Sequence, residues 1–141
     1  MQFSTIFITL ATATLSLAHP FHFGNPFRLA KRGYAPGNCG IHVTQYVKST
    51  PGAGNIYQFT VTVKDANGTE IGKVEKQPIE TFETFRLKSE LPFNVTVRAG
   101  YLDYDPVDFS YGSHVWSSSY GCGLGGYGNG TRDMDCGFEC D

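Results

Sequence analysis

An apolar/polar alternation that runs into an Asn-Gly pair, over residues 56–71, limits the folds open to this chain more than any other feature. Tyr57, Phe59, Val61 and Val63 fall on one face, while Gln58, Thr60, Thr62 and Lys64 fall on the other. That is the period of two of a half-buried strand. Asn67 and Gly68 both tolerate positive φ, so the pattern predicts a hairpin closed by a two-residue type I′ turn. The return strand runs through Ile71 and Val74, with Gly72 at an expected bulge and Pro78 as its end.

The alternation recurs. Ile41, Val43 and Val47 alternate with His42, Thr44, Tyr46 and Lys48, and Pro51, Gly52 and Gly54 then mark a loop. Phe85 and Leu87 alternate with Thr84, Arg86 and Lys88; Phe93, Val95, Val97 and Ala99 with Asn94, Thr96 and Arg98; Val107, Phe109 and Tyr111 with Asp108 and Ser110. Residues 114–118 are a further candidate strand. No amphipathic helical pattern exceeds two turns. Together these predict an all-β fold, a small antiparallel β-sandwich of about six to eight strands, with a small barrel as the alternative. The Gly- and Tyr-rich residues 120–130 read as a surface loop pinned between cysteines.

The ends of the chain carry processing signals. Residues 1–18 read as a signal peptide: the apolar run through Phe3, Ile6, Phe7, Ile8, Leu10, Leu15 and Leu17 is too short to span a membrane comfortably. It closes on the small-x-small pattern Ser16-Leu17-Ala18. Residues 19–32 hold Pro20 and Pro26 and end in Lys31-Arg32, the dibasic pair of a kexin-type processing site. They read as a pro-peptide, with an unstructured arm as the bland alternative. Residues 33–141 then form the β-sandwich domain, near the usual size of one fold. The expected destination is extracellular.

Without the leader, eight Lys and Arg face thirteen Asp and Glu, a net charge of −5. That disfavours nucleic-acid backbones and anionic membrane surfaces, which need clustered basic residues. All four cysteines, Cys39, Cys122, Cys136 and Cys140, lie in residues 33–141. An even count in a short exported chain reads as two disulfides, and the spacing lacks a zinc-site pair. Four cysteines allow three connectivities, between which sequence alone does not choose. Cys39 with Cys140 and Cys122 with Cys136 is the pairing favoured here, and the first would close nearly the whole domain.

Candidate chemistry is sparse. Asn67, Asn94 and Asn129 head N-x-Thr glycosylation sequons. Asp103, Asp105 and Asp108 supply hard oxygen ligands that would suit calcium, against the plainer reading of a solvated turn, so no metal or other cofactor is assigned. For catalysis the domain offers only His42 and His114; no G-x-S-x-G elbow accompanies the Ser-rich stretch around His114, and no catalytic set is assigned. The exposed-aromatic candidates Tyr104, Trp116, Tyr120 and Tyr127, with Tyr101 and Tyr111, would give a binding surface, since Tyr and Trp offer large contact area at low ordering cost. The counter-reading is that half of them fill the core.

The leader ending in Lys31-Arg32, the acidic domain, and the motifs Asn38-Cys39-Gly40-Ile41-His42-Val43-Thr44 and Asp135-Cys136-Gly137-Phe138-Glu139-Cys140 resemble the small secreted proteins of filamentous ascomycetes treated as candidate effectors. The residues themselves, with no catalytic set, an acidic balance and exposed-aromatic candidates, read as a monomeric, non-catalytic binding protein with no membrane attachment. The resemblance implies that it acts outside the producing cell as a virulence or host-interaction factor, and its partner would be a host protein or a cell-wall component. A second likeness, of size, acidity and Tyr/Gly content, is to fungal guanyl-specific ribonucleases, which makes a secreted hydrolase the alternative and RNA its substrate. That likeness implies a helix ahead of the sheet and a His, Glu, Arg, His set, for which His42, Glu83, Arg86 and His114 are the candidates.

Overall fold

A computed structural model describes residues 32–48 and 56–141. The expected signal peptide, the pro-peptide up to Lys31 and the loop at Pro51, Gly52 and Gly54 lie outside the described residues; Arg32 is exposed. Nine strands follow: β1 (Asn38–Tyr46), β2 (Tyr57–Lys64), β3 (Glu70–Ile79), β4 (Thr84–Leu87), β5 (Val95–Arg98), β6 (Asp108–Tyr111), β7 (His114–Ser117), β8 (Cys122–Leu124) and β9 (Thr131–Glu139). There is no helix among the described residues.

The strands form two antiparallel sheets, five-stranded in the order β3-β2-β1-β9-β8 and four-stranded in the order β4-β5-β6-β7. Each strand pairs with its neighbour in sequence within a sheet, except that β9 inserts between β8 and β1. The alternating residues of both sheets meet in one core: Ile41, Val43, Tyr57, Phe59, Val61, Val63 and Met134 from the first, and Val95, Val97, Phe109 and Tyr111 from the second. Phe138 of β9 bridges the sheets, its ring 5.2 Å from both Trp116 of β7 and Tyr111 of β6. The all-β two-sheet fold predicted from the alternation is therefore present, with nine strands rather than six to eight.

The two extra strands are β8 and β9. Residues 122–124, expected in a loop, pair with β9, and residues 131–139 form an interior strand between β1 and β8. Their inward set is Arg132, Met134, Cys136 and Phe138, a period of two obscured by the outward Asp133, Asp135 and Gly137, which are poor strand formers.

The central hairpin is present, but its turn is not type I′. The Gly68 amide donates to the Asp65 carbonyl at 2.9 Å and only Gly68 has positive φ (80°), so a type I turn is followed by a left-handed glycine. Asp65 selects this turn: its Oδ1 accepts from the amides of Asn67 (3.0 Å) and Thr69 (2.9 Å), while its Oδ2 accepts from Ala35 (2.9 Å). The register shift expected at Gly72 is there, between Val63 and Lys64. A Cβ on Gly72 would lie 2.6 Å from that of Ser89, so glycine admits the following connection. Pro78 does not end β3, which continues to Ile79; β3 is a sheet edge, where a residue without an N–H is tolerated.

Both disulfides have the favoured pairing. Cys39–Cys140 joins the start of β1 to the residue after β9 (Cα–Cα 5.7 Å), and Cys122–Cys136 joins residues directly opposite on β8 and β9 (4.2 Å).

Candidate functional site

At one end of the sandwich the connection between β5 and β6 rises over the sheet ends and carries three exposed side chains, Tyr101, Leu102 and Tyr104. Asp105 shapes it, its Oδ2 accepting from the amides of Tyr101 (2.9 Å) and Leu102 (2.8 Å). Lys48 and Tyr57 anchor it from below: the Lys48 ammonium donates to the Tyr101 carbonyl at 2.8 Å and to Thr81 Oγ1 at 3.1 Å, and the Tyr57 hydroxyl donates to the same carbonyl at 3.2 Å. The Tyr127 hydroxyl donates to the Asp103 carbonyl at 2.7 Å. Burial, reinforced by Asp103, pushes the Tyr57 hydroxyl well above its ordinary pKa, and burial lifts Tyr127 to about 12 against the opposing pull of Arg132. Both phenols therefore stay protonated at physiological pH and keep donating.

Beside this loop, Phe82 turns outward from the connection between β3 and β4, 57% exposed. Its ring stacks on Tyr101 at 6.3 Å with planes 16° apart. The Arg98 guanidinium lies 5.7 Å from the same ring and its Nε donates to the Phe82 carbonyl at 3.3 Å. Phe82 holds φ 61°, a conformation that costs a bulky residue roughly 1–2 kcal/mol. A groove of about 370 Å³ lined by Lys48, Thr81, Tyr101 and Asp103 adjoins the Tyr101 ring, and one of about 220 Å³ lined by Phe82, Arg98, Asp105 and Asp108 adjoins the Phe82 ring.

The aromatic candidates divide. Tyr101, Tyr104 and Tyr127 belong to this end, with Tyr104 packed edge-on to Tyr127 at 5.6 Å. Tyr120 is exposed in the β7–β8 turn, whereas Tyr111 and Trp116 pack on Phe138 in the core. The three carboxylates considered for calcium are engaged separately. Asp105 caps its own loop, Asp108 faces Arg98 at 3.8 Å and Asp103 lies beside Tyr57. Among the described residues no group of three or more His, Cys, Asp or Glu side chains is placed to hold a metal ion. The asparagines of all three sequons are exposed: Asn67 in the hairpin turn, Asn94 just ahead of β5 rather than within a strand, and Asn129 in the turn before β9.

The ribonuclease candidates are spread over the molecule. His42 lines a groove of about 580 Å³ on the outer face of the five-stranded sheet, floored by Gly40 and Gly137, which face each other in register. There its Nδ1 lies 2.7 Å from Asp135, while Thr44 donates to Asp133 at 2.6 Å. Arg86 lies on the outer face of the other sheet, Glu83 in the turn before β4 and His114 at the exposed start of β7.

Sequence reading missed Phe82, Lys48 and Arg98. The available signal was Phe82 itself, a lone aromatic out of phase with the strand alternation among Glu80, Thr81 and Glu83. Comparison with known proteins finds no family model, no curated protein and no solved structure that matches the chain.

Proposed function

We propose that this is a secreted, disulfide-stabilised, non-catalytic binding protein that acts outside the producing cell, and that it engages a cell-wall polysaccharide through the Phe82–Tyr101 platform. The observation that carries the reading is the exposed ring stack held on a strained backbone, with a groove beside each ring. Strain retained at an exposed residue points to a use for its side chain. Stacked rings take the apolar face of a sugar, and the Lys48, Thr81, Asp103 and Asp105 groups alongside suit its rim of hydroxyls. Action on a host would follow from its destination, as in the small secreted proteins that its leader and cysteine plan resemble.

The test is co-sedimentation of the protein with insoluble cell-wall polysaccharide, beside Tyr101→Ala and Phe82→Ala variants. Binding that falls about tenfold or more in both variants, with the fold retained, supports the platform. Equal binding by all three proteins, or capture by a host protein alone, overturns it.

A further inference from the structure

We infer that the polysaccharide is acidic, a uronate-bearing chain that runs from the Phe82–Tyr101 stack across the outer face of the four-stranded sheet; this rests on the platform reading above. Register builds that face as two cross-strand rows. Thr84, Arg98, Asp108 and Ser117 form one, and Arg86, Thr96, Ser110 and Val115 the next. Between them lies a groove of about 460 Å³ lined by Thr84, Arg86, Thr96, Arg98, Ser110 and Val115. It shares Arg98 and Asp108 with the groove under Phe82, so platform and sheet face make one track. An extended polymer fits such a track better than a compact ligand does.

Charge selects the kind of polymer. Arg98 is half-exposed and only loosely held by Asp108 at 3.8 Å. Arg86 is exposed, and among the described residues no carboxylate lies within ion-pair distance of it. Guanidinium groups pair with carboxylates through two parallel hydrogen bonds, so repeated uronate carboxylates match two arginines on adjacent strands. Thr96 and Ser110 hydroxyls, hydrogen-bonded to each other at 2.6 Å, supply donors and acceptors for sugar hydroxyls, and Val115, 77% exposed, an apolar contact. The opposite outer face is mixed in charge, with Asp133, Asp135 and Glu139 beside Lys64 and Lys73. The arginine pair on adjacent strands is therefore what draws an anionic chain to this face, although residues 33–141 carry net negative charge.

The experiment uses protein secreted from the full chain and measures equilibrium binding of a polygalacturonate oligomer and a neutral glucan oligomer of equal length. Arg86→Gln and Tyr101→Ala, both surface changes, are run beside the parent with melting curves as a check on folding. The expected result is preference for the polygalacturonate, weakened at high ionic strength, with about a tenfold loss in Arg86→Gln for the acidic oligomer alone. Equal binding of both oligomers that is lost in Tyr101→Ala but untouched in Arg86→Gln overturns the acidic track and leaves the platform standing. Acidic binding indifferent to Arg86→Gln also overturns the track, and binding of neither oligomer overturns both readings.

Discussion

The ring of Phe82 stacks on that of Tyr101, 6.3 Å away, from a backbone in the left-handed region at φ 61°. Glycine at this position would release the strain, worth about 1 kcal/mol, while losing a ring pair worth about 0.5–1.5 kcal/mol. Phe82→Gly is therefore expected to unfold within about 1 kcal/mol of the parent in urea, whereas Phe82→Ala, which keeps the strain, is less stable than Phe82→Gly by about 1 kcal/mol. An alanine variant as stable as the glycine one would show that the backbone there is unstrained.

Asp65 ties the hairpin turn to the segment ahead of β1. The Ala35 amide, then those of Thr69 and Asn67, hold its carboxyl below the ordinary value of 3.8, against the opposing effect of burial. A depressed folded pKa contributes stability that is present above the unfolded value and lost as pH falls through the folded one. Asparagine keeps one acceptor and turns an amide donor toward the others. Asp65→Asn should thus lower the melting temperature most near neutrality, with the gap to the parent closing below pH 3.8. A gap that stays constant with pH would assign the loss to shape rather than charge.

The disulfides close loops of very different length, with sequence separations of 101 for Cys39–Cys140 and 14 for Cys122–Cys136. In the loop-entropy model, replacing both cysteines by alanine costs about 4–5 kcal/mol for the long loop and about 3 for the short one. Guanidinium unfolding of the two double variants should follow that order. The reverse order would mean that the unfolded chain keeps structure around β1.

Gln45 and Arg132 face each other in register inside the core, both almost wholly buried, with Arg132 Nη2 donating to Gln45 Oε1 at 2.6 Å and to the Asp105 carbonyl at 2.9 Å. Among the described residues no carboxylate pairs with Arg132, whose charge is met by carbonyl oxygens and the Tyr127 ring at 5.2 Å. Gln45→Leu removes one acceptor from a buried cation and should cost about 2–4 kcal/mol. Adding Arg132→Met removes the orphaned charge, so the double variant should cost less than the sum of the single ones by more than about 1 kcal/mol. Additive costs would show that the two side chains act independently.

The candidate site was only partly legible in sequence. Tyr101, Tyr104 and Tyr127 were identifiable as aromatics in polar surroundings, but so were Tyr111 and Trp116, which the second sheet turns onto Phe138. Whether an aromatic on a strand lies in a core or on a surface depends on which face the opposing sheet covers. Phe82 and Arg98 come from different connections and strands, and their meeting with Tyr101 follows from the Phe82 amide bonding to the Ala99 carbonyl at 3.1 Å, a contact between distant positions that no local pattern records.

Local rules carried the rest of the reading. A side-chain period of two determined β1, β2, β4, β5 and β6, turn chemistry placed a hairpin at Asp65 to Thr69, and an even cysteine count in a short chain pointed to two disulfides. Tertiary structure decided the tie of that turn to the segment ahead of β1, through the Ala35–Asp65 bond, and the place of β9 inside a sheet between β1 and β8. It also decided the burial of Gln45 and Arg132. Each depends on pairing across long stretches of chain, where burial between β1 and β8 outweighs the weak strand preference of Asp, Gly and Arg.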